Sequence, residues 1–194
     1  MTRRAAACAA TALGVLCCCA ARGGTNDPAV IMLDDYPGLT SRYVAARTVQ
    51  VYLPAAYRAD STQRFAVLYM HDGQNVFDPA TSFIGVDWGV HEALEQLVSA
   101  GRVRPAIVVG IWNTPQRLAE YMPAKAGAYI TNNEVRAAYV ERYGVPLSDE
   151  YLRFIVTEVK PMIDGRYRTL RDRAHTFIMG SSMGGLISLY ALCE

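Results

Sequence analysis

Apolar residues fall along this chain in two recurring patterns. Short runs bounded by polar loops form the first: Thr48-Val49-Gln50-Val51-Tyr52-Leu53, Phe65-Ala66-Val67-Leu68-Tyr69-Met70, Ala106-Ile107-Val108-Val109-Gly110-Ile111-Trp112, and the segment that leads through Phe177-Ile178-Met179 to Ser182. The Thr48 run alternates as strands do, and the Phe65 and Ala106 runs are apolar throughout, as strands buried on both faces of a parallel sheet are. The second pattern has helical spacing. Trp88 to Ala100 sets Leu94, Leu97 and Val98 on one face, with Gly101 as the stop. Asn133 to Tyr143 is a shorter candidate. Asp149 to Ile163 lines up Leu152, Ile155, Val156, Val159 and Ile163, with Ser148 or Asp149 as cap and Pro161 expected to end or kink the last turn. Strands alternating with helices predict an α/β fold with a mainly parallel sheet flanked by helices.

Sites in such sheets form at the carboxyl ends of the strands. Three distinctive loops fall there: His71-Asp72-Gly73-Gln74-Asn75, Trp112-Asn113, and Gly180-Ser181-Ser182-Met183-Gly184. The last is a G-x-S-x-G pattern, and only Ser182 has glycine two places to either side. Small residues at those places let strand and helix approach each other around a strained serine, whose hydroxyl then projects from the sheet. The amide of Met183 would lie at a helix start, where backbone donors lack internal partners and can receive an oxyanion. The bland alternative is a tight turn whose serine caps the helix.

With 194 residues, 52% of them hydrophobic, the chain has about one domain's length and enough apolar material for a large core. A net charge of +1 provides no field for nucleic acid or an anionic membrane surface, so no nucleic-acid partner is expected. The start is separate in character: Met1-Thr2-Arg3-Arg4 is basic, Ala5 to Ala20 is apolar but shorter than the ~20 residues of a membrane span, and small residues surround Cys19-Ala20-Ala21. Residues 1–21 are read as a signal peptide and 22–41 as an N-terminal tether. Cys8, Cys17, Cys18 and Cys19 fall in the signal, leaving Cys193 in a mature chain with no internal disulfide. That fits an exported bacterial protein, periplasmic or secreted. Lipoprotein anchoring is the less favoured route, because Leu16, Cys17 and Cys18 are poor residues to precede a lipidated cysteine.

Leu68 to Asn75, Trp88, and Gly180 to Leu186 together resemble the putative-esterase branch of the α/β-hydrolases, which includes feruloyl and acetylxylan esterases, S-formylglutathione hydrolase and enterochelin esterases. The likeness runs from about Thr48 to the last residue, and it makes residues 42–194 a partial α/β-hydrolase domain. The resemblance implies a Ser-His-Asp/Glu triad in that chain order, with Ser182 as nucleophile and Met183 as one oxyanion donor. The second donor is expected from the loop after Met70, at the amide of Gln74 or, failing that, Gly73. His71, Trp88, Asn113 and Arg117 are candidate substrate-pocket residues.

No histidine and no aspartate follow Ser182 in this chain, and Glu194 is the one acid beyond it. The later strands of the fold and the loops bearing the triad's acid and base are therefore expected to be missing. His175 begins the strand that Ser182 ends, roughly 20 Å away at about 3.3 Å per residue. His91 lies in a helix and is expected at the surface or satisfied by neighbours; His71 sits beside the oxyanion loop and is expected to brace it. Without a base a serine hydroxyl is a poor nucleophile, so this polypeptide is expected to be weakly active or inactive.

Weaker signals remain. Arg117 and Glu120 are spaced to pair on one helical turn. Asp72, Asp78 and Asp87 with Asn75 do not match a calcium loop, and no metal or cofactor is expected. The function expected is a serine carboxylic-ester hydrolase acting on acylated sugars, hydroxycinnamate esters or siderophore-type esters. The alternatives are an acyltransferase of the same fold and a non-catalytic binding protein.

Overall fold

The computed structural model describes residues 32–194. The signal peptide expected at 1–21 and the first part of the tether lie outside the described residues. The strands are β1 (Met32–Leu39), β2 (Arg47–Leu53), β3 (Ala66–His71), β4 (Ala106–Ile111) and β5 (Thr176–Met179). They form one sheet in the order β1-β2-β4-β3-β5. β1 and β2 pair antiparallel, as do β2 and β4, whereas β4, β3 and β5 run parallel. The tether expected over 22–41 is thus corrected: residues 32–39 of it are β1. Met-Leu-Asp-Asp-Tyr lacks the alternation of an evident strand, and its pairing with β2, from Met32 opposite Leu53 to Tyr36 opposite Val49, is what orders it.

The helices are α1 (Ala55–Ala59), α2 (Val90–Ser99), α3 (Arg117–Tyr121), α4 (Asn133–Tyr143), α5 (Ser148–Phe154), α6 (Lys160–Arg166) and α7 (Met183–Cys193). Alternate residues of the central strands divide the core between two faces, as the strand period of two requires. Val67 and Tyr69 of β3 and Ile107, Val109 and Ile111 of β4 join Tyr151, Phe154, Val159, Ile163, Ile187 and Tyr190 on one face. Met70 and Val108 meet Val76, Phe77 and the half-buried Leu94 of α2 on the other.

The segment 148–166 corrects three details. Leu147, not Ser148 or Asp149, occupies the cap position, and the buried Ser148 hydroxyl accepts from the Ala124 amide at 2.8 Å. Val156 is exposed, while Tyr151 and Phe154 are buried in its place. Pro161 does not end the helix, which widens into a π-helical stretch over Ile155–Val159 and then continues as α6. Proline supplies no amide and crowds the carbonyl four residues back, and a wide turn upstream absorbs that conflict without a break. Among the described residues β5 pairs with β3 alone, and Phe177 and Met179 of β5 and Leu189 and Leu192 of α7 are exposed. Among the described residues no helix is long and apolar enough to cross a membrane.

Candidate active site

The parallel register brings the ends of β3, β4 and β5 to one edge: His71 lies opposite Ile111, and Met70 opposite Met179. The chain leaving β5 turns at Ser182 with φ 54° and ψ −119° and enters α7. Ser182 and Asp72 are the two non-glycine residues with positive φ among the described residues. Such a conformation costs an L-residue roughly 1–3 kcal/mol and persists only where its surroundings enforce it. The glycines show how. A methyl group at Gly180 would stand 2.7 Å from the Gly184 carbonyl carbon, and one at Gly184 would meet His71 Cβ at 3.3 Å and Asp72 Oδ2 at 3.4 Å. The Ser182 side chain is exposed and makes no capping hydrogen bond to α7. The serine-as-cap alternative therefore falls.

Gly184 touches the loop after β3, so the turn and the loop share a border. Asp72 begins that loop in the left-handed region at φ 57° and is buried. Its carboxylate accepts from Arg117 through Nε at 2.7 Å and Nη2 at 2.8 Å, and from Asn113 Nδ2 at 2.6 Å. Its amide donates to the Tyr121 hydroxyl at 3.2 Å. Gly73 presses on β4, where a methyl group would sit 2.4 Å from the Gly110 carbonyl carbon. Gln74 follows, half-buried, its side-chain Oε1 accepting from the Asn113 amide at 3.1 Å. Among the described residues neither the Gln74 amide nor the Met183 amide donates a hydrogen bond; both lie in the first turn of a helical segment, where amides lack internal partners.

His71 is wholly buried, with Nδ1 2.8 Å from the Tyr151 hydroxyl and Nε2 unpaired. Burial, opposed by Asp72 and assisted by Arg117, lowers its pKa to about 4, so the ring is neutral at pH 7. Its one ring hydrogen bond goes to α5 rather than to the loop after β3, and, being wholly buried, it contributes no open surface to the substrate pocket expected of it. His175 pairs with Asp172 at 2.9 Å, where β5 begins. His91 is buried rather than superficial, with Nε2 3.0 Å from Glu92. None of the three histidines hydrogen-bonds Ser182.

The four residues expected to line a substrate pocket divide differently. Trp88 is partly exposed and its amide donates to the Asn75 carbonyl at 2.8 Å, beside the loop and ahead of α2. Asn113 and Arg117 spend their side chains on Asp72. The Arg117–Glu120 pair does not form: Glu120 turns inward to Arg47 with contacts of 2.5 and 2.8 Å, both side chains being buried. Glu120 falls on the inner face of α3 and Arg117 on the rim, a division that spacing alone does not resolve. Asp78 accepts from Ala80 and Asp87 from Gly89, so the three aspartates considered for calcium have separate tasks. An apolar cavity of about 300 Å³ lies between Met122, Ile130, Tyr139 and Val145, and none of the expected site residues lines it. Tyr121 and Tyr151, which hold Asp72 and His71, were not singled out by sequence; their signal was an apolar position facing a sheet edge.

Comparison with known proteins settles the family. The model of the family described as "Putative esterase" matches residues 41–194. The chain belongs to this family. It is 26% identical over 156 residues to the uncharacterized protein YbbA of Bacillus subtilis, covering 80% of this chain and 54% of that protein. Among solved structures it is similar to an IroE-like serine hydrolase from Shewanella oneidensis (TM-score 0.58, 23% identity, 84% of this chain and 46% of that one). It is also similar to the siderophore hydrolase EstA from Aspergillus nidulans (TM-score 0.61, 21% identity, 87% and 55%). A third is a CE1 ferulic acid esterase from Anaeromyces mucronatus in complex with ferulic acid (TM-score 0.55, 21% identity, 86% and 55%). The shared fold is that of the α/β-hydrolases. The chain spans about half the length of these relatives.

Proposed function

We propose that this esterase-family chain carries the nucleophile and the oxyanion hole of a serine carboxylic-ester hydrolase. The observation that carries the reading is Ser182: exposed, at positive φ, on a strand-to-helix turn that abuts the β3 loop. In the proposed reaction Ser182 Oγ adds to the ester carbonyl carbon and its proton passes to a base. The tetrahedral oxyanion is held by the Met183 and Gln74 amides. The bond to the alcohol oxygen then breaks, the alcohol leaves with a proton, and water hydrolyses the acyl-enzyme to acid and free serine. Acylated sugars, hydroxycinnamates and siderophore-type esters are the proposed substrates; the ferulic acid esterase and siderophore hydrolase similarities support the latter two.

His71, His91 and His175 are all engaged away from Ser182, which supports weak or absent turnover by the 194-residue chain. The same observation favours a second reading, a protein that binds esters without cleaving them. Turnover of p-nitrophenyl acetate and labelling by a fluorophosphonate separate the two. Labelling lost in Ser182→Ala marks an activated nucleophile, and silence from a folded sample overturns the hydrolase reading for this chain. Export is proposed on residues 1–21 alone; a mature N-terminus near Ala21, read by mass spectrometry, tests it.

A further inference from the structure

We propose that Arg117 is a positioning residue: its two-pronged bond to Asp72 locks the left-handed turn that presents the Gln74 amide to the Ser182 oxyanion. The proposal rests on the Ser182 reading above and assigns a task to a cation that otherwise looks like a substrate ligand.

α3 grips both ends of one residue. Arg117 takes both carboxylate oxygens of Asp72, and Tyr121, one helical turn on, accepts from the Asp72 amide. The guanidinium carbon also lies 5.0 Å from the centre of the Tyr121 ring. Asn113, two residues past the end of β4, adds a third hydrogen bond to the same carboxylate. Aspartate enters the left-handed region more readily than most L-residues but still at a cost, and these contacts favour it there. Asp72 Oδ2 is also the atom that Gly184 would meet at 3.4 Å if it bore a methyl group. Gly184 thus packs against His71 and the Asp72 carboxylate together, so the clamped residue borders the helix start bearing Met183. With Nε and Nη2 both committed to Asp72, one full edge of the guanidinium serves the turn rather than a substrate.

The test uses the full chain, with Arg117→Ala, Arg117→Lys and Asp72→Asn, the last because asparagine tolerates positive φ while giving up the charge. Amide hydrogen exchange reads the turn directly. The amides of Asn75 and Val76 bond to the Asp72 and Gly73 carbonyls within it. In Arg117→Ala they should exchange at least ~10-fold faster while Val108 and Val109 in β4 stay protected, with partial rescue by lysine, which cannot bind two oxygens in parallel. Fluorophosphonate labelling of Ser182 should slow by roughly 10- to 100-fold, less than deleting an oxyanion donor outright costs. Where turnover of p-nitrophenyl acetate is measurable, kcat should fall with KM held within about twofold, the signature of an interaction made in the transition state. Unchanged exchange at Asn75 and Val76, or labelling indifferent to Arg117→Ala, overturns the clamp. Absence of labelling in the wild type instead overturns the Ser182 reading, and the oxyanion role goes with it. Should Arg117→Ala unfold, the same expectations apply to Asp72→Asn, with smaller effects.

Discussion

Acid should weaken this protein through one histidine. His71 is wholly buried and its pKa is lowered to about 4, against an ordinary value of 6.5. Between those values the unfolded chain binds a proton at this position that the folded chain refuses. Stability from His71 is therefore complete above pH 6.5, falls as pH drops through this window, and is spent below about pH 4. At 1.36 kcal/mol per pKa unit the loss comes to about 2 kcal/mol by pH 5 and about 3 kcal/mol by pH 4. Carboxylates titrate nearby, so the quantity to measure is a difference. Urea unfolding of wild type and His71→Asn is followed by circular dichroism at pH 7.5, 5 and 4. Asparagine presents a polar atom near the Nδ1 position, within reach of Tyr151, without a titrating ring. The wild type should lose about 3 kcal/mol more than the variant between pH 7.5 and 4. Parallel pH profiles for the two proteins would refute the reasoning, as would an imidazole resonance from His71 titrating near its ordinary value.

Glu120→Ala strands the buried Arg47 charge and should cost about 3–5 kcal/mol in denaturant unfolding, whereas Arg47→Met with Glu120→Leu should lose much less. Gly180→Ala drives a methyl group into the Gly184 backbone and should destabilise by about 1–3 kcal/mol, lowering the thermal midpoint by several degrees. Ser182→Gly relieves the backbone at φ 54° and should raise stability by about 1 kcal/mol while abolishing fluorophosphonate labelling. Gly73→Ala, facing the Gly110 carbonyl carbon at 2.4 Å, should be the more damaging of the glycine substitutions, visible as loss of soluble folded protein.

Local pattern settled a great deal. The runs beginning at Thr48, Phe65 and Ala106 and the one preceding Ser182 are strands because apolar, β-favouring residues leave each no better alternative. The G-x-S-x-G spacing dictated the bend at Ser182, since both glycines stand where a methyl group would collide or crowd. The direction of the parallel strands then put the three loops on one edge. Partner choice was another matter. Met32 to Leu39 is a strand because β2 offers it an edge, Glu120 pairs with Arg47 across 73 positions rather than with Arg117 three away, and Arg117 serves Asp72. Spacing along a chain says which side chains could meet. Burial decides which do, because a charge drawn from water must find its partner wherever the packed core has placed one.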